Sequence, residues 1–153
     1  MSNVPPLLSV VMVVGSARSQ AQSVVDALYA QTRPDDMEIV IVDIAAVGTL
    51  PLRTEPTVYT KYILQPGVEF WGKARTEGVQ HASAAVVAFL EDHCWPEPDW
   101  ADALIEAHQQ PWASVGYAVK NGSPDTYLYR AALLADYGLW AHPARGGPTK
   151  LLP

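Results

Sequence analysis

The chain lacks most of the features that would define its class at a glance. Its 153 residues include one cysteine, Cys94, which excludes an internal disulfide and suits a reducing compartment. His81, His93, Cys94 and His108 have no ligand spacing of a structural zinc site. Basic residues are scarce, 10 Lys and Arg against 16 Asp and Glu, for a net charge of -6. That balance argues against a general electrostatic grip on nucleic acid, but not against a local basic pocket for a phosphorylated ligand. No apolar run approaches the roughly 20 residues of a membrane-spanning helix. The apolar start "MSNVPPLLSVVMVVGS" has neither the basic residues nor the cleavage site of a signal peptide. The expectation is a cytoplasmic domain, at most peripheral to a membrane.

Glycine motifs are missing too. The turn after the first apolar run, "GSARSQ", has a single glycine, so the dinucleotide fingerprint G-x-G-x-x-G is absent. No P-loop follows a strand, and no G-x-S-x-G elbow marks a hydrolase.

What is present is an alternation of periods. "LLSVVMVV" (7–14) reads as a strand buried on both faces. Ala21, Val24, Val25 and Leu28 then recur at helical spacing, with Ser19 as the expected N-cap and Pro34 beyond the end. "EIVIVDI" (38–44) and "VYTKYIL" (58–64) are the next strands. A helix from about 71 to 83 is expected to bury Trp71, Ala74, Gly78 and Ala82. "AVVAFL" (85–90) is the most apolar strand, and Pro98 opens a helix with Trp100, Ala103, Leu104 and Ala107 inward. "WASVGYAV" (112–119) is a candidate fifth strand and 125–140 an apolar helix. Strands alternating with helices predict an α/β fold, a mostly parallel sheet covered on both faces. Its ligands belong outside the carboxyl ends of the strands, which brings Asp43 and the Glu91-Asp92-His93 triplet to one edge.

The triplet is the unusual feature. In "VVAFLEDHCWPEPDW" (86–100) a hydrophobic strand runs straight into three adjacent titratable side chains. Carboxylate oxygens there can hold Mg²⁺ or Mn²⁺ that in turn binds substrate phosphates, and imidazole is a tolerable ligand for Mn²⁺. The plainer alternative is a turn capped by Asp92 with His93 exposed.

In order, these segments resemble the family 2 glycosyltransferases, from about Leu8 to Val119. The resemblance rests on "SVVMVVGSARSQ", "LYAQTRPDDMEIVIVDIAAVGT" and "PGVEFWGKARTEGVQHASAAVVAFLEDHCWPEPDWADAL". The last resembles a G-x-x-x-A-R-N-x-G helix leading into A-F-L-D-x-D and a P-x-W helix. The resemblance implies the GT-A fold, a Rossmann-like sandwich, as a single domain over 1–153 with 120–153 the lead-in to an acceptor-binding half. It implies a nucleotide-diphosphate sugar donor, bound through Asp43, Arg75, Glu91 and Asp92, and a divalent metal, Mn²⁺ or Mg²⁺, at Asp92 and His93. The acceptor, whether glycan, lipid or protein, is not implied, nor is a nucleic-acid partner.

Several positions depart from the family pattern. Ile44 stands where a second acid is usual, Val13 and Gly15 where threonine and tyrosine are usual, and Thr76 where the A-R-N asparagine is usual. His93 replaces the metal-binding aspartate, at the cost of one negative charge. No general base is recognisable, since Asp125 and Asp136 come too early. These points imply a truncated chain whose activity is inverting sugar transfer or, as the alternative, a catalytically incompetent nucleotide-binding or interaction module. Loss of the acceptor half would leave Tyr127, Leu128, Leu133, Leu134, Tyr137, Leu139 and Trp140 partly uncovered, so self-association through 125–140 is expected.

Overall fold

The computed structural model describes residues 5–55, 59–116, 118–138, 140, 141 and 147. The chain forms two compact units, residues 1–112 and 113–153.

The first unit is an α/β layer structure. Its strands are β1 (Leu8–Val14), β2 (Met37–Asp43), β3 (Thr60–Leu64) and β4 (Val86–Glu91). They form a parallel sheet in the order β3-β2-β1-β4. Helices α1 (Arg18–Tyr29) and α2 (Trp71–His81) connect consecutive parallel strands, and α3 (Trp100–Ala107) follows β4. All seven residues of β1 and of β2 are buried, as expected of central strands in a parallel sheet. Val58, included in the expected third strand, lies outside the described residues.

β4 is not the fully buried strand its composition suggested. It occupies an edge, and Phe89 is 43% exposed. Apolar composition reports membership of a sheet, but only the strand order decides which member keeps an open side.

The α1 stripe is as the spacing predicts, with Ala21, Val24, Val25 and Leu28 all inaccessible. The helix begins at Arg18 with Ala17 as N-cap and no side-chain cap, rather than at a Ser19 cap. The Arg18 side chain is held by groups at the sheet edge, and the first turn starts two residues earlier than a Ser19 cap would place it. In α3 the buried residues are Ala101, Leu104 and Ile105, not Trp100 and Ala103. The start of α3 is fixed by the segment after α1. Gln31 accepts the Ala101 amide at 3.0 Å and donates to the Glu97 carbonyl at 2.9 Å, satisfying an amide that the helix end would otherwise leave unpaired.

Helix α2 rides close to the sheet. It buries Ala74 and Gly78, while Trp71 is 41% exposed and Ala82 falls just beyond the helix. A Cβ at Gly78 would collide with Val11 Cγ1 and come within 3.3 Å of Val42 Cγ2. At the amino end of the sheet, Glu38 is 1% exposed and fully partnered. It pairs with Lys61 Nζ at 2.8 Å and accepts from the hydroxyls of Ser9 and Ser83 and from the Ser83 amide. Burial alone would raise its pKa, but these bonds outweigh it and hold the carboxyl below the usual range.

In the second unit, α4 (Tyr127–Tyr137) is capped by Thr126, and Val119 bridges Ala141. No fifth strand forms among the described residues of 112–119, a run broken by Gly116 and containing Tyr117, which is outside the described set. None of the α4 residues is buried, and Tyr127 and Leu128 are 90% and 74% exposed. Leu139, also expected at this surface, lies outside the described residues.

Two consequences follow for stability. Gly78→Ala should cost about 1–3 kcal/mol through overpacking, despite the better helix propensity of alanine, and appear as a lower urea midpoint. Glu38 has a depressed pKa in the fold, so its contribution is present above the ordinary value of 4.5 and disappears as pH falls through the folded value. Glu38→Gln should therefore melt lower at neutral pH and lose less on acidification below that value, measured as Tm against pH.

Candidate functional site

Four turns meet at the carboxyl edge of the sheet, as its topology requires. The β1–α1 turn (Gly15, Ser16, Ala17), the first turns of α2 (Trp71, Arg75) and the end of β4 (Glu91, Asp92, His93) enclose an open cleft of about 510 Å³. A second, smaller cavity of about 140 Å³ lies elsewhere, near Leu28, Met37 and Tyr59.

Asp92 is 6% exposed and anchors the floor of the cleft. Its Oδ2 accepts the Gly15 amide at 3.3 Å, and its Oδ1 is 3.1 Å from His93 Nδ1. The first bond is long, so Asp92 is positioned without being saturated. His93 is half exposed and turned to solvent on its other side. Glu91 is ion-paired with Arg75, and both side chains remain about 40% exposed. The Arg75 guanidinium also sits 5.9 Å from the Phe89 ring centre, within cation–π range. Arg75, Glu91, Asp92 and His93, named from sequence, are thus brought together.

Asp43 is not with them. It does not line the cleft and is only 4% exposed. Its Oδ1 accepts from Arg18 Nη1 and from the Ala45 amide, each at 3.0 Å. Its Oδ2 accepts the Tyr62 hydroxyl and pairs with Arg18 Nη2 at 2.9 Å. Burial would raise the Asp43 carboxyl, but Arg18, Tyr62 and the Ala45 amide together hold it below the usual range. The same cluster ties α1 and β3 to the loop after β2, because Arg18 also donates to the Leu50 carbonyl and Tyr62 accepts the Leu52 amide.

The partner of Asp43 was missed from sequence. A buried acid at a strand end needs a cation, but no spacing in the sequence singles out Arg18. Ile44 and Val13, where the family pattern has polar groups, belong to the apolar cluster with Val42 and Ala74. Trp71 was expected to be a packing residue, yet it lines the cleft. Trp95 is half exposed and outside it. Asp125 is tied to Arg130 on the surface of the second unit.

No group of three His, Cys, Asp or Glu suited to a metal occurs among the described residues. Asp92 and His93 offer two donors 3.1 Å apart. That set fits a Mn²⁺ or Mg²⁺ ion which completes its shell with water and substrate phosphates, and does not fit an all-protein cage. No helix among the described residues is long and apolar enough to cross a membrane.

Comparisons with known proteins agree with this architecture. The chain is 27% identical over 134 residues to validoxylamine A glucosyltransferase of Streptomyces hygroscopicus subsp. limoneus, covering 80% of this chain and 30% of that protein. It also superposes on the crystal structure of S. aureus TarS 1–349 with a TM-score of 0.53 at 17% identity. That match covers 87% of this chain and 49% of the other. A second S. aureus TarS structure gives a TM-score of 0.52 at 16% identity, over 87% of this chain and 30% of that one. The chain therefore spans half or less of the length of these proteins, and the structural matches bear on fold alone. The model of glycosyl transferase family 2 matches residues 9–149, so the chain belongs to that family and carries its GT-A-like α/β architecture.

Proposed function

We propose that the cleft between the β1–α1 turn and the end of β4 binds the diphosphate of a nucleotide-diphosphate sugar, as the donor half of an inverting sugar transfer. The observation that carries this is the convergence of Asp92, His93 and the Arg75–Glu91 pair on one open cleft in a chain of this family. Asp92 and His93 would hold Mn²⁺ or Mg²⁺, which when bound neutralises charge on the leaving diphosphate. Arg75 offers a cation that can exchange from Glu91 to a phosphate oxygen, leaving Glu91 to accept from a ribose hydroxyl. Gly15 keeps Asp92 in place through its amide. In transfer, the acceptor hydroxyl attacks the anomeric carbon as the bond to the diphosphate breaks. The hydroxyl proton needs a base, and of the acids of the cleft Glu91 is committed to Arg75 while Asp92 would be committed to the metal. That commitment favours a second reading for these residues alone, nucleotide binding without transfer.

Calorimetric titration of UDP and GDP with and without Mn²⁺ separates donor binding from its absence. Metal-dependent binding, abolished in Asp92→Ala, is expected; equal affinity with and without metal would refute the metal site. His93→Asp adds a negative charge and a hard oxygen ligand, so it should tighten Mn²⁺-dependent binding several-fold, and an unchanged or weaker affinity would exclude His93 as a ligand position.

Self-association through α4 is part of the same proposal, supported by its wholly unburied apolar side chains, Leu134 among them at 62% exposure. Light scattering should give a dimer or larger species at high concentration, reverting towards monomer in Leu128→Lys/Leu134→Lys. A monomer at all concentrations would rule it out.

A further inference from the structure

We propose that Trp71, rather than Asp43, holds the nucleobase of the donor, and that the cleft consequently accepts different bases with similar affinity. The inference rests on the donor-site reading above and adds what its ring-binding wall is made of.

Two independent observations lead there. The first is that Asp43 has no capacity left. An ionised carboxylate offers about four lone-pair sites. Here three are used by hydrogen bonds from Arg18 Nη1, the Ala45 amide and the Tyr62 hydroxyl, and the fourth faces Arg18 Nη2 in an ion pair at 2.9 Å. A base N–H could reach this carboxylate only by expelling Arg18, whose guanidinium is also bonded to the Leu50 carbonyl at 2.9 Å and the Tyr62 oxygen at 3.0 Å. Expulsion would break those bonds and leave Tyr62 to rearrange. Asp43 is therefore a structural tie among the start of α1, the loop after β2 and strand β3, not an exposed acceptor.

The second is the placement of Trp71. It is the first residue of α2 and is 41% exposed, and its indole is the one large aromatic ring lining the cleft among the described residues. Gly15 makes room for it. A Cβ at Gly15 would already lie 3.9 Å from Trp71 Cη2 and Cζ2, so any longer side chain there would contend with the ring for the same space. The ring thus shares the cleft with Arg75 and Asp92, the groups suited to the diphosphate end of the ligand. A half-exposed indole beside a diphosphate site is a stacking platform. Stacking uses the face of a base, which every base has, and does not read the hydrogen-bonding edge that distinguishes one base from another.

The test is calorimetry with Mn²⁺ and five ligands, UDP, GDP, ADP, CDP and inorganic pyrophosphate, on the unmodified chain, Trp71→Ala and Trp71→Phe. The four nucleotides should bind the unmodified chain within a few-fold of one another and more tightly than pyrophosphate. Trp71→Ala should weaken all four by roughly ten- to a hundredfold and leave pyrophosphate unchanged. Trp71→Phe, which keeps an aromatic face, should retain most of the affinity. A strong preference for one nucleotide, erased by Asp43→Asn, would overturn the inference, since Arg18 would then yield to the base. Equal weakening of pyrophosphate and nucleotides by Trp71→Ala would overturn it as well, by making Trp71 a support for the fold of the cleft. Pyrophosphate binding as tightly as the nucleotides would defeat it while the diphosphate site stood. If no ligand bound, including pyrophosphate, the donor-site reading itself would fall and take the inference with it.

Discussion

The close approach of α2 to the sheet at Gly78 governs the geometry of the cleft. With no side chain there, the helix settles against Val11 and Val42, and Ala74, one turn towards the cleft, packs with Val13 and Val42. Another turn on, the helix ends at Trp71 beside Gly15, with Arg75 on the adjoining face. The positions of the indole and the guanidinium are therefore set by apolar packing at Ala74 and Gly78 on the same helix, and a change in the core would be felt at the cleft. The strand register contributes equally, since Val13 lies between Val42 and Glu91 and so brings the ends of β1 and β4 level.

Two of the buried acids, one at each end of the sheet, are handled alike, and Asp92 differs from both. Glu38 at the amino end and Asp43 at the carboxyl end are each enclosed, each matched by a cation, and each supplied with hydroxyl and amide donors. A buried carboxylate so equipped resists protonation and has little to offer a ligand. Asp92 is nearly as inaccessible, but it is held by one long amide bond and a neighbouring imidazole. It is the acid whose bonding leaves room for a cation, and its neighbours face an open cleft.

Much of this fold was legible in the residues. The spacing of Ala21, Val24, Val25 and Leu28 gave α1, and the β-branched runs gave β1 and β2, because burial on a periodic face leaves a periodic trace. The family resemblance named Arg75, Glu91, Asp92 and His93, which line one cleft. Pairings between distant residues left no such trace. Arg18 and Asp43 are 25 positions apart, and only the register of β1 and β2 makes them neighbours. Glu38 was overlooked inside an apolar strand, although one acid in such a run demands a buried partner. The run at 112–119 was read as a candidate strand on apolar content alone, whereas among its described residues only Val119 pairs, in a single bridge with Ala141. Trp71 was assigned to the core because helical spacing identifies a face but not where along the helix that face reaches solvent.

The central claim is that a metal-bound nucleotide diphosphate sits against Asp92 and His93 at the carboxyl edge of the sheet. Paramagnetic broadening of backbone amide signals by Mn²⁺ in the presence of UDP tests it most directly. The account predicts that the amides of Gly15, Asp92 and His93 broaden first, with those of Ser9 and Glu38 at the opposite end of the sheet remaining sharp. Broadening centred anywhere else, or broadening independent of UDP and spread over surface acids, would contradict it.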